Sequence, residues 1–220
     1  MLVFDVNDTL TDQSLFARRL EQVGAPGHIA HTWYASTLRD GIALTLLDAA
    51  RPYADVAGDV LRGLLHHAQD LDRDVADAAA YVLDGFAQVP AHPDVAPGLR
   101  LLADAGHRLV TLSNGSVDVA HGMLERAGVI DTVELLLSAE DAGAWKPDPR
   151  AYRYAAERTG VPLADLVMVA AHPWDLAGAA ALGMRTAFVD RTGAPWPDVF
   201  RRPDLHVGSV GELDAALRRP

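Results

Sequence analysis

The chain changes rhythm twice. Four apolar residues, Met1 to Phe4, run straight into Asp5 and a Val6-Asn7-Asp8-Thr9 turn. A short apolar run bounded by turn formers predicts a buried strand, with Asp5 just past its C-terminal end. From about Leu15 to Phe86 the pattern is helical and no stretch reads as a strand. Turn formers break it at Gly24-Ala25-Pro26-Gly27, Arg51-Pro52 and Asp70-Leu71-Asp72. From Pro93 onward helix and strand patterns alternate. The spacing predicts helices over 96–105, 117–127, 149–159 and from Trp174, with strands over 107–113, 133–138, 166–170 and 185–189. Such alternation predicts an α/β fold, a parallel sheet with helices on both faces.

Composition narrows the class of function. A chain of 220 residues, half of them hydrophobic, suits one large domain or a core with a smaller inserted one. A net charge of −11 argues against nucleic acid and anionic membrane as partners, because both need basic surface. An anionic small-molecule substrate must then be captured by local cations. Cysteine is absent, which excludes disulfides, thiolate catalysis and cysteine-based metal sites. No charged-then-apolar leader precedes the first strand and no apolar stretch is long enough to span a bilayer, so a cytoplasmic protein is expected. A homodimer is compatible with these features.

Eighteen arginines accompany a single lysine, Lys146, in Trp145-Lys146-Pro147-Asp148-Pro149. An ammonium is a compact point charge that can sit against one carboxylate, as a planar guanidinium cannot. As a surface cation ahead of a helix N-terminus Lys146 would be electrostatically misplaced. Four polar sites follow predicted strands in order: Asp5, then Ser113-Asn114-Gly115, then Lys146, then Ala170-Ala171-His172-Pro173-Trp174-Asp175. Open α/β sheets bind ligands at such strand ends.

This ordered set resembles the haloacid dehalogenase superfamily of hydrolases. Phe4-Asp5…Thr9-Leu10, Ser113-Asn114-Gly115, Lys146-Pro147-Asp148-Pro149-Arg150-Ala151-Tyr152 and Trp174-Asp175 are most similar to its L-2-haloacid dehalogenase branch. The resemblance spans essentially the whole chain. It implies a Rossmann-like core, residues 1–13 and 93–220, with an all-helical cap, residues 14–92, inserted after the first strand.

The resemblance also implies roles. Asp5 would be the nucleophile that displaces halide and forms an ester. Lys146 would hold Asp5 ionised, with Tyr152 beside it, and Thr9 would donate to Asp5. Ser113 and Asn114, with backbone amides around Gly115, would hold the substrate carboxylate; they could also cap the helix from Val117, and both roles are compatible. Arg39, on a predicted helical face with Ala35, Ile42, Ala43 and Leu46, would receive the halide, unless it snorkels outward. Asp175 would assist the hydrolytic water. His172 would orient or activate that water, or be a surface imidazole. Asn7 and Trp174 would line the substrate pocket.

Two substitutions separate chemistries. Phosphatases of this superfamily carry an acid two residues after the nucleophile, to protonate an alkoxide. An amide such as Asn7 cannot do this, and a halide does not need it. The dehalogenases carry an aromatic residue there, so Asn7 departs from both patterns. Phosphatases also supply two acids in the last motif, where this chain has Ala171 and Asp175. Magnesium favours several carboxylate oxygens, so no metal or other cofactor is expected. The rival readings are a magnesium-dependent phosphatase of a small metabolite and a non-catalytic relative.

Overall fold

The computed structural model describes residues 1–218. Six parallel strands form one sheet in the order β3-β2-β1-β4-β5-β6: β1 Leu2–Phe4, β2 Leu109–Ser113, β3 Leu135–Ser138, β4 Val167–Ala170, β5 Arg185–Val189 and β6 Leu205–Val207. Strand β1 lies between β2 and β4, with Phe4 facing Thr111 on one side and Val169 on the other. The strand order therefore reverses beside β1, where ligand crevices form in open parallel sheets. Alternate side chains leave β1 toward opposite layers. Leu2 and Phe4 join a cluster with Leu99, Leu102 and Met123, while Val3 joins one with Tyr152, Met168 and Leu176. A strand buried on both faces reads as an unbroken apolar run, which is why it is legible in the sequence.

Between β1 and β2 the chain is helical: α1 Ser14–Gln22, α2 Ile29–Leu46, α3 Tyr53–Leu65, α4 Val75–Leu83 and α5 Val95–Asp104. Helices α1 to α4 bury their own cluster, which includes Phe16, Trp33, Tyr53, Leu61 and Val82. Trp145, from the loop after β3, belongs to it as well. Where the chain leaves and re-enters the sheet layer, Thr11 pairs with Ala91 in an isolated antiparallel bridge. The Asp12 N–H donates to the Pro90 carbonyl at 2.8 Å and the His92 N–H to the Leu10 carbonyl at 2.9 Å, drawing the ends of the insertion together.

The remaining helices are α6 Val117–Arg126, α7 Pro149–Thr159, α8 Pro173–Ala181 and α9 Leu213–Leu217. Helix α7 shows how local chemistry sets its limits. Asp148 caps it by accepting from the Arg150 N–H at 2.9 Å, Pro149 opens it, and Gly160 ends it at φ 67°. Elements β6 and α9 have no counterpart in the predicted pattern, being only 3 and 5 residues long. Among the described residues no helix is long and apolar enough to cross a membrane.

Candidate active site

Four strand ends meet around one ammonium. The Asp5 N–H donates to the Val169 carbonyl at 2.9 Å, so the first residue past β1 is held against β4. The chain then turns back at once, with the Leu10 and Thr11 N–H groups donating to the Val6 carbonyl at 2.9 and 3.0 Å. Asp8 takes φ 62° in this turn, a left-handed conformation that Asp tolerates better than most residues. The turn brings the Thr9 hydroxyl over the nucleophile, where Oγ1 donates to Asp5 Oδ2 at 2.6 Å and accepts from the Ala171 N–H at 2.9 Å.

Lys146 Nζ lies 2.8 Å from Asp5 Oδ1 and 2.7 Å from Asp175 Oδ2, with its side chain wholly buried. Burial alone would pull the ammonium down, but the Asp175 and Asp5 carboxylates outweigh it and raise its pKa above the ordinary lysine value. Burial pushes the Asp175 carboxyl up, against the opposing pull of Lys146. Tyr152 is also fully buried, and its hydroxyl reaches Asp175 Oδ1 at 2.7 Å and the Asp175 carbonyl at 2.9 Å. Lys146 thus fills the point between two carboxylates that a cation must occupy. Among the described residues no three His, Asp or Glu side chains converge as a metal cage.

His172 precedes α8 and is buried. Its Nε2 lies 3.0 Å from the Asn7 carbonyl, 2.9 Å from the Tyr34 hydroxyl and 3.7 Å from Asp5 Oδ2. A carbonyl can only accept, so the Asn7 contact puts a hydrogen on Nε2. Trp174 stacks on the ring at 5.2 Å and 15°. Asn7 itself is buried, and its side chain borders a small cavity of about 130 Å³ together with Tyr53, Gly115, Ser116 and Glu140.

A sequence model of haloacid dehalogenase-like hydrolases matches residues 1–183. The chain belongs to that family. The (S)-2-haloacid dehalogenase 4A of Burkholderia cepacia is 30% identical over 216 residues, covering 96% of this chain and 91% of that protein. The (S)-2-haloacid dehalogenase 1 of Pseudomonas sp. strain CBS-3 is 26% identical over 219 residues, covering 99% and 96%. A dehalogenase solved with an intermediate complex superposes with a TM-score of 0.89 at 28% identity, covering 100% of this chain and 97% of that one.

Several expectations for this haloacid dehalogenase-like hydrolase need correcting. Arg39 is exposed and paired with Asp40, its Nε 2.7 Å from Oδ1. The buried stripe of α2 is Trp33, Thr37, Gly41 and Thr45, and Arg39 stands on the other side of the helix with Ala35, Ala43 and Leu46, all exposed. The outward, snorkelling alternative describes it. Asn114 holds the Lys146 backbone: Oδ1 accepts from the N–H at 2.7 Å and Nδ2 donates one hydrogen to the carbonyl at 3.4 Å. Ser113 accepts from the Gly115 N–H at 2.9 Å, while the cap of α6 is Ser116. Tyr152 meets Lys146 through Asp175, whose Oδ1 takes the Tyr152 hydroxyl and whose Oδ2 takes the ammonium. The surface alternative for His172 fails, since the ring is enclosed.

Two contributors were missed. Tyr34 brings a hydroxyl from α2 to His172, a contact across 138 positions of sequence. Arg191 donates from Nε and Nη2 to the Thr9 carbonyl at 3.0 and 2.8 Å and from Nη1 to Asp94 at 2.7 Å. Arg191 sits in no recognisable motif, whereas Tyr34 lies in the Trp33–Leu38 stretch that leads to Arg39. Both Tyr34 and Arg191 wall a cavity of about 350 Å³ between the helical insertion and the sheet, with Trp33, Tyr53 and His92.

Proposed function

We propose that the protein hydrolyses the carbon–halogen bond of small L-2-haloalkanoic acids through an ester on Asp5, as a cytoplasmic enzyme. One observation carries this reading. Each Asp5 oxygen meets a single donor, Lys146 Nζ at 2.8 Å and Thr9 Oγ1 at 2.6 Å, which holds an ionised carboxylate oriented and one lone pair free for attack. The similarity of the full chain to (S)-2-haloacid dehalogenases supports the substrate class.

A carboxylate oxygen of Asp5 attacks C2 as the bond to halogen breaks, and halide leaves with the electron pair. The configuration at C2 inverts. Water then attacks the ester carbonyl of Asp5, and the charge developing there falls on donors already in place, Lys146 and Thr9. Asp175 is the carboxylate still ionised at that stage, and the pull of burial on its pKa suits it to take the water's proton. The bond between Asp5 and the ester oxygen breaks, releasing the inverted 2-hydroxy acid.

This chemistry needs no metal: a halide leaves without a proton from Asn7, and with Ala171 in the last motif only Asp175 remains there as a carboxylate for magnesium. The test is a parallel screen of L-2-chloropropionate and phosphate esters with and without EDTA. Chloride release insensitive to EDTA is expected, and magnesium-dependent phosphate release without dehalogenation would overturn the reading. In oxygen-18 water label should enter Asp5, and Asp5→Asn should lose on the order of 10⁴-fold in turnover.

A further inference from the structure

Among the described residues no free cation stands at the site for the anion it must release. Asp5 and Asp175 share the one ammonium of Lys146, and Arg39 is turned to solvent. Tyr34, from α2, brings another donor to the site. Its hydroxyl lies 2.9 Å from His172 Nε2, which in turn lies 3.7 Å from Asp5 Oδ2. Because the Asn7 carbonyl at 3.0 Å requires the hydrogen to be on Nε2, the Tyr34 oxygen must act as an acceptor toward the ring. Among the described residues the phenolic hydrogen is then left without a partner, and it is available to a ligand. Burial, with the nearby Tyr53 and Asp5, pushes the phenol well above its ordinary value, so the O–H stays intact at neutral pH.

We propose that the Tyr34 hydroxyl is a catalytic donor that receives the departing halide. This rests on the aspartyl-ester reading. As the carbon–halogen bond lengthens, the charge gathering on the halogen meets the O–H; the electron pair leaves with the halide and the proton stays on Tyr34. The donor is neutral, so it strengthens only as negative charge develops, which favours the transition state over the bound haloacid. The same ring walls the 350 Å³ cavity where His31 and His92 also stand, so the donor opens onto a space the anion can enter.

Tyr34→Phe removes one oxygen and keeps the ring. With 2-chloro-, 2-bromo- and 2-iodopropionate, single-turnover halide release should fall most for chloride, by roughly 10²-fold, and progressively less for bromide and iodide, with KM little changed. Chloride is the poorest leaving group and the most charge-dense acceptor, so it depends most on a donor. A loss equal for all three halogens, or a rise in KM alone, would assign Tyr34 to substrate binding and overturn the proposal. A second measurement does not need turnover: bromide binding to Asp5→Asn, followed by tryptophan fluorescence, should weaken several-fold when Tyr34→Phe is added. If the wild-type enzyme releases no halide, the ester reading fails, while bromide binding indifferent to Tyr34→Phe removes the halide donor.

Discussion

The side-chain amide of Asn114 grips the peptide unit of Lys146, with Oδ1 accepting from its N–H at 2.7 Å and Nδ2 donating to its carbonyl at 3.4 Å. On the other flank Trp145 is held by the helical insertion: its N–H donates to Thr45 Oγ1 at 3.1 Å and its indole N–H to the Arg51 carbonyl at 2.9 Å. Tyr53 stacks on the indole at 5.2 Å, and a side chain on Gly41 would strike it. A wholly buried ammonium is thus placed by contacts to the backbone on both sides, in addition to its ion pairs.

Asn114→Ala leaves a buried N–H unpaired and frees one flank of Lys146. We expect a stability loss of about 1–3 kcal/mol. Turnover should fall by roughly 10–100-fold, the scale of an ångström's misplacement. Thermal unfolding and single-turnover rates measure the two effects. Wild-type turnover in a folded variant would show that the clamp is dispensable.

Lys146→Arg keeps the charge and should still lose most activity, because a planar fork does not fit a space closed by Asp5 and Asp175 on opposite sides. Lys146→Met leaves two buried carboxylates facing one another and should cost about 3–5 kcal/mol. The pH dependence has a definite sign. The folded pKa of Lys146 is raised, so its contribution to stability is complete below the ordinary lysine value of ~10.4 and is lost as pH rises through the higher folded value. Alkaline unfolding curves of wild type and Lys146→Met should converge only above that range. Convergence below it would contradict the ion-pair account.

The parts legible in the sequence are those governed by local rules. Strand β1 is an apolar run of period one, α7 carries its own cap and stop, and Asp5, Thr9, Lys146 and Asp175 mark strand ends in a fixed order. Directions across the tertiary structure were not legible. Helix α2 is apolar on more than one side, so its periodicity alone did not say which stripe faces inward. Trp145 decides that by packing on Gly41, which turns Arg39 to solvent. The amide of Asn114 reads equally well as a ligand donor or a backbone clamp until Lys146 is placed beside it.

Arg39→Ala should therefore leave turnover and thermal stability within roughly twofold of wild type, as for most solvated surface changes. Halide-release kinetics decide the point. A loss of several hundred-fold would show that Arg39 swings inward with substrate bound and would restore its expected role.

Arg191 places the nucleophile from a distance. Two of its N–H groups hold the Thr9 carbonyl and a third holds Asp94, whose other oxygen accepts from the Val210 N–H at 2.8 Å. The guanidinium is almost enclosed, with a tenth of its side chain exposed. Thr9 in turn donates to Asp5 at 2.6 Å, so a chain of contacts runs from the far strands to the attacking oxygen. Arg191→Ala should lower kcat by roughly tenfold with KM little changed, because it loosens orientation and touches no substrate. Arg191→Lys should recover stability better than activity, since one ammonium cannot reproduce a planar three-way grip. The deciding measurement is a double-mutant cycle with Thr9→Val. If Arg191 acts through Thr9, the second substitution adds little once the first is made, a coupling of at least about 0.5 kcal/mol in activation free energy. Fully additive losses would mean that Arg191 serves the fold alone.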